Sequence, residues 1–185
     1  MIVKELKKER VMEMLEQSFS DIYMKFKVHF YQEVFKQIHS RETTLSTVEV
    51  FCVEIIHALH EPTVNEFANF IQVSSPNAAY KVNSLIKKGY IEKVQSEHDK
   101  REYHLRVTPK YFEYYNLSQN YLSEVTKRAE EHFSTEEIMK FDQMLEEISK
   151  GLMPEIDIPS VNLDEVKKNL DMAKNNLDTL EQGTI

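Results

Sequence analysis

Residues 63–109 read TVNEFANFIQVSSPNAAYKVNSLIKKGYIEKVQSEHDKREYHLRVTP, and the caps, stops and alternations in this stretch decide the fold. Thr63 and Glu66 stand at the spacing of a capping box, in which a hydroxyl and a carboxylate satisfy the open N–H groups of a helix start. A helix therefore begins near Val64, and Val64, Phe67, Ala68 and Ile71 repeat along one face of it. Gln72 and Val73 form a turn. Ser74 or Ser75 caps a second helix, and Pro76 suits its first turn because the missing N–H would have had no partner there. That helix carries Ala79, Val82, Leu85 and Ile86 inward and stops at Gly89. Two short helices joined by about three residues form a helix-turn-helix. Tyr90, Ile91 and Val94 make a first strand, and Tyr103, Leu105 and Val107 alternate with His104 and Arg106 in a second. The polar Ser96–Glu102 segment closes the hairpin between them, which adds a β-wing.

Upstream, Ser46 and Glu49 form another capping box. They open a helix to about His60 whose apolar positions include Val48, Phe51, Cys52, Ile55, Ile56 and Leu59. Before it, Val11, Leu15, Phe19, Ile22, Phe26, Phe30, Val34 and Ile38 recur every three or four residues, and neither proline nor glycine interrupts residues 1–61. A helix of thirty-odd residues reaches roughly 50 Å at about 1.5 Å per residue, longer than a small winged domain covers. Downstream, Thr108 and Pro109 open a helix over Lys110–Phe133 with Phe112, Tyr115, Leu122, Val125 and Ala129 inward. Ser134 and Glu137 then cap a helix through Lys150, with Ile138, Phe141, Leu145 and Ile148 inward and Gly151 at its end.

MPEIDIPSVN is a linker, and Leu163, Val166, Leu170, Ala173, Leu177 and Leu180 follow at spacings of 3, 4, 3, 4 and 3, a heptad seam. The expected fold is mainly α with a small β-wing. An N-terminal dimerisation helix spans 1–44, a winged helix-turn-helix domain 45–109 and C-terminal dimerisation helices 110–151. A linker covers 152–162 and a heptad-patterned helix 163–182. Long amphipathic helices at both ends predict a homodimer. The heptad helix packs either within its own subunit or against the partner.

With 185 residues, 41% hydrophobic and 29% charged, the chain has the size and balance of one ordinary globular domain with extensions. No apolar run of about 18 residues is present to cross a bilayer, and MIVKELKKERVMEM lacks the features of a secretory signal, so a cytoplasmic protein without membrane contact is expected. The single cysteine, Cys52, excludes an intrachain disulfide framework. It reads as a small core residue. There is no phosphate-binding glycine loop, no HExxH and no serine elbow, so no enzyme and no cofactor are expected. His57 and His60, with His29 or His39, offer nitrogen ligands. No cysteine or carboxylate cluster completes a zinc site at recognisable spacing, and no metal is expected.

The net charge of −8 is unevenly spread. From Lys81 to Lys110, eight basic residues stand against four acidic ones, and from Tyr111 onward seven stand against sixteen. A nucleic-acid duplex is attracted to the winged segment and repelled by the rest. Lys87 and Lys88 read as helix-end charges favoured by the dipole.

The order of a long N-terminal helix, a capped second helix, a Val-Ser helix entry, a Lys-Gly-Tyr-Ile exit, a wing with Asp99 and Arg101, and Thr-Pro opening another long helix resembles the MarR family of bacterial winged-helix regulators. The resemblance covers about Leu45–Lys150. It implies a dimeric transcriptional regulator, most often a repressor, that places one recognition helix in each of two successive major grooves of a pseudo-palindromic operator on double-stranded DNA. On that pattern Ser74–Lys88 is the recognition helix. Asn77 suits adenine, Ala78 a thymine methyl, and Lys81 guanine or phosphate, with Tyr80 beside them. Ser74 and Ser75 suit phosphate at the helix N-terminus, and the capping-only alternative for Ser74, Ser75 and Asn77 is the weaker reading in this context. In the wing, Arg101 matches the family's arginine, Asp99 helps fix it, and Lys100 reaches backbone or minor groove. Lysine here replaces the first arginine of the common wing pair, and the recognition helix lacks an early arginine.

The resemblance further implies a small-molecule effector in a cleft between the dimer helices and the winged domain. Some of Tyr23, Phe26, Phe30, Phe51, His57, Tyr111 and Tyr115 are its expected lining, although aromatics at helical spacing are core first and pocket second. The alternative to a regulator is a helical, dimeric protein-interaction module whose winged domain does not bind DNA specifically.

Overall fold

The computed structural model describes residues 2–40, 45–115, 117–159 and 168. The elements are α1 (Ile2–Ser40), α2 (Thr47–Ala58), α3 (Val64–Phe70), α4 (Ser75–Lys87), β1 (Ile91–Gln95), β2 (Tyr103–Val107), α5 (Pro109–Tyr115), α6 (Leu117–His132) and α7 (Thr135–Gly151). The expected winged helix-turn-helix is present as α3, α4 and an antiparallel β1–β2 pair in the register Ile91↔Val107 to Gln95↔Tyr103. Capping boxes start α2 at Ser46, α3 at Thr63 and α7 at Ser134, each with the reciprocal glutamate bond. After α4, Gly89 adopts φ 79°, which returns its own N–H to Ile86 and that of Tyr90 to Leu85. The helix expected over 110–133 is described as α5 and α6 on either side of residue 116. Residues 152–159 carry no helix or strand, and the heptad segment 163–182 lies outside the described residues apart from Lys168.

The core sits in the winged domain. Val50, Val53 and Ile56 from α2, Phe67 from α3, Val82 and Leu85 from α4, and Tyr90, Ile91 and Leu105 of the ribbon are fully or almost fully buried. Val34 of α1 and Tyr111 and Phe112 of α5 close it from the side of the long helices. Cys52 belongs to this core, and burial raises its thiol above the ordinary range, only partly countered by the charge of Lys81. Two positions expected inside α2 lie elsewhere: Val48 is 53% exposed and Phe51 38%. The α2 face toward α4 runs through Val50, Val53 and Ile56, which turns Phe51 toward Phe30 of α1, 6.2 Å away between ring centroids.

The outer helices bury little against their own chain. Val11, Leu15, Phe19 and Ile22 of α1 are exposed, as are Phe141 and Leu145 of α7, and none of the α7 side chains is buried. Among the described residues no helix is long and apolar enough to cross a membrane.

Glu54 brings a carboxyl into the packed side of α2. It shares a hydrogen bond with the buried Tyr111 hydroxyl, and its Oε1 has no partner among the described residues. Burial pushes Glu54 up to about 8, against the opposing pull of the Tyr111 bond. Burial and the adjacent Glu54 charge together raise Tyr111 well above the ordinary phenol range.

In the unfolded chain Glu54 ionises near 4.5, so its contribution to stability is complete below that pH and is lost as pH rises through about 8. Glu54→Gln is expected to flatten this decline. Thermal midpoints of the two proteins between about pH 5 and pH 8 check it, and parallel curves would exclude Glu54 as the titrating group.

Candidate nucleic-acid interface

The face that α4 offers to solvent is set by the face it buries. Ala78, Val82 and Leu85, spaced four and three apart, are completely buried. Asn77 and the 78% exposed Tyr80 therefore lie outward, with Lys81 half-buried beside them. This corrects the reading of Ala78 as a contact to a base methyl: its methyl packs into the core. Ser74 is the N-cap but makes no side-chain capping bond, which leaves the first N–H groups of α4 open at that end. Ser75 is exposed, and its hydroxyl donates to Asn65 Oδ1 of α3 at 3.2 Å, a tie between the two helices that sequence spacing does not show.

The other end of α4 is anchored by Glu49. Its carboxylate accepts the Ser84 hydroxyl at 2.7 Å, the Lys88 ammonium at 2.8 Å to both oxygens, and the Ser46 N–H at 2.8 Å. Burial disfavours the charged form, but Lys88 and then the Ser46 and Ser84 donors outweigh it and hold Glu49 at about 2. Lys88 is thus bound into the scaffold, consistent with a structural rather than a ligand role.

In the wing, the Ser96 N–H donates to the Glu102 carbonyl and the Glu102 N–H to the Asp99 carbonyl, both at 2.9 Å. Asp99 Oδ1 accepts the Arg101 backbone N–H at 2.9 Å, and the carboxylate takes the Arg101 guanidinium through Nε and Nη2 at 3.3 Å each. The backbone donor first and the guanidinium second hold Asp99 below the usual carboxylate range. Arg101 itself is 91% exposed, a cation held in a defined orientation at the wing tip beside the exposed Lys100. The local excess of positive charge is smaller at the surface than in the sequence. Arg106 pairs with Glu61, and Lys110 lies 4.4 Å from the Tyr90 ring centroid while donating to the Lys88 carbonyl. Lys87, Lys93, Lys100 and Arg101 stay exposed.

The aromatic residues expected to line one cleft separate into two groups. Tyr23, Phe26 and Phe30 of α1 and Phe51 of α2 surround a cavity of about 370 Å³, joined by Lys27, His29, Tyr31 and Tyr121. His29 stacks on Tyr121 at 3.9 Å, and Lys27 Nζ lies 5.4 Å from the Tyr23 ring centroid. His57 and Tyr111 are not part of this lining: their rings lie 5.0 Å apart, with Tyr111 and Phe112 in the core and the partly buried His57 at its edge, because α5 folds back onto α2. The Tyr115 side chain lies outside the described residues. The rings of His57 and His60 are 6.4 Å apart, and no group of three His, Cys, Asp or Glu side chains is arranged for a metal among the described residues.

A sequence profile of the MarR family matches residues 45–103. No curated protein matches the chain. Among solved structures, a MarR family protein from Bacillus stearothermophilus is similar with a TM-score of 0.56 and 17% identity, over 78% of this chain and 96% of that one. YusO from Bacillus subtilis is similar with a TM-score of 0.50 and 14% identity, over 77% and 97%. FabT from Streptococcus pneumoniae, solved in complex with DNA, is 26% identical over 78% and 96%, with a TM-score of 0.48. The first two show a shared fold.

The two sides of α4 make opposite demands on substitution. Tyr80→Ala is expected to leave stability within about 0.5 kcal/mol of the parent, whereas Ala78→Leu overpacks the core and costs about 1–3 kcal/mol. Urea unfolding measures both, and equal effects would contradict the assignment of faces.

Proposed function

The chain carries a MarR-family winged helix-turn-helix domain over residues 45–103, and we propose on that premise that it is a DNA-binding transcriptional regulator. It acts as a homodimeric repressor on a pseudo-palindromic operator. The observation that carries this reading is the division of α4. One side is locked into the core by Ala78, Val82 and Leu85, and the other offers Asn77, Tyr80 and Lys81 beyond an N-terminus with no side-chain cap. An open helix N-terminus attracts a phosphate, and a rigidly held polar face suits base edges in the major groove. Asn77 has the paired donor and acceptor for adenine. Lys81 reaches guanine or phosphate, and Ser74 and Ser75 lie at the phosphate end. Arg101, oriented by Asp99, and Lys100 extend the contact from the wing.

The uncovered apolar stripes of α1 and α7 support self-association, which sets two recognition helices about one DNA turn apart, roughly 34–36 Å. The cavity among Tyr23, Phe26, Phe30, Phe51 and Tyr121 joins α1, α2 and α6. It is the proposed seat of a small effector that biases the spacing of the recognition helices.

Binding to random duplex DNA across a salt series tests the reading. Affinity is expected to fall steeply with salt, and flat or absent binding would leave a protein-interaction module as the better account. Arg101→Ala is expected to weaken binding on every sequence. Asn77→Ala is expected to change preference at one or two base positions by about 1–3 kcal/mol, which selection from a random duplex pool reads directly. Sedimentation at micromolar concentration is expected to show a species of twice the 21.9 kDa chain mass.

A further inference from the structure

The turn between α2 and α3 places two successive non-glycine residues in the left-handed region, His60 at φ 51° and Glu61 at φ 61°. Such backbone persists only where neighbours hold it. The holders here come from three consecutive residues of β2. His104 Nδ1 lies 2.8 Å from the Glu61 carbonyl oxygen, to which an Nδ1–H donates. The Leu105 N–H donates to the Pro62 carbonyl at 2.8 Å. Arg106 donates to the Glu61 carboxylate through Nε at 2.5 Å and Nη2 at 3.2 Å. An isolated bridge between Thr63 and His104 continues the same seam.

A two-stranded ribbon is marginal by itself, and its direction needs an outside tie. The corner at His60–Pro62 provides one, and it lies immediately before the Thr63 cap of α3. β2 begins two residues after Arg101, so the bonds at 104–106 govern where the wing tip points relative to the helix-turn-helix. The Glu61 and Arg106 side chains are 44% and 46% exposed. An ion pair this wet adds little to global stability, and its consequence lies in orientation.

We infer that Glu61 is a positioning residue for the wing: its clasp with Arg106 and His104 sets the angle at which Lys100 and Arg101 meet DNA. The inference rests on the DNA-binding reading for its consequence, but the clasp itself is measurable without DNA. Glu61 also neutralises Arg106, which stands opposite Glu92 across the ribbon. The competing account is therefore that Glu61 only masks a cation.

The two accounts separate in a double-mutant comparison on the intact chain. Arg101→Ala is expected to cost about tenfold in affinity in the parent and less than about threefold when Glu61→Gln is already present, because an unclasped wing no longer delivers Arg101. In the absence of DNA, Glu61→Gln is expected to speed exchange of the Leu105 amide about tenfold while core amides such as those of Val53 and Val82 stay unchanged. The charge-swapped pair Glu61→Arg with Arg106→Glu is expected to restore both readouts.

A full loss from Arg101→Ala in the Glu61→Gln background, together with unchanged Leu105 exchange, would overturn the clasp. So would tighter binding of every duplex by Glu61→Gln with a steeper salt slope and the Arg101 effect intact, since that is the behaviour of a masked charge. If the parent binds no DNA, the regulator reading fails alone, and the exchange and charge-swap results still decide whether Glu61 holds the wing.

Discussion

The carboxylate of Glu49 joins two helices that local sequence would leave independent. At the third position of α2 it closes the capping box with Ser46, and the same two oxygens receive the Ser84 hydroxyl and the Lys88 ammonium from the far end of α4. Desolvation alone would favour the neutral acid, but the donors gathered around it hold it ionised to about 2. The ion-paired side chains are 30% and 14% exposed, so the arrangement matters more for orientation than for raw stability. With the end of α4 held, Ala78, Val82 and Leu85 have one face to bury, and Asn77 and Tyr80 are left outside.

The same economy of charge recurs at the next corner. Glu61 serves Arg106 much as Glu49 serves Lys88, and Asp99 serves Arg101 within the wing. The three pairs differ in what they leave available. Lys88 and Arg106 are tied to carboxylates of other elements, whereas Arg101 keeps 91% of its side-chain surface exposed and is aimed by a partner within the wing. The proposed DNA face is therefore less a broad basic patch than a few oriented cations around a polar helix face. That pattern suits docking by geometry as well as by field.

Much of this was legible in the residues. The three Ser/Thr-x-x-Glu boxes, the glycine after α4 and the period-two alternation of β2 all act over a few residues, and each appears where its local signal stands, whereas the Asp99–Arg101 pair is expected from the family resemblance alone. What the pattern misjudged was the angle of a helix about its own axis. Ala78 and Ala79 are adjacent and chemically alike, so α4 periodicity tolerates either inside, and the packing chose Ala78. Phe51 in α2 was displaced in the same way, toward the α1 aromatics. His57 and Tyr111 share the aromatic character of the cavity lining but pack against each other instead, Tyr111 in the core and His57 at its edge, because the direction in which α5 returns is not encoded in any local spacing.

The starts of α2, α3 and α7, the hairpin and the amphipathic helices flanking the winged core are written in the residues alone, because caps, turns and hydrophobic period are short-range and additive. It took the packed fold to bring Glu49 to Ser84 and Lys88, Glu61 to Arg106 and His104, and Glu54 against Tyr111. Those partners lie tens of residues apart, and a charged side chain gives no local sign of whether it will end in water or against a distant donor. The physical reason is that burial and partner are properties of packed surfaces, which exist only once the helices have settled their rotation against one another.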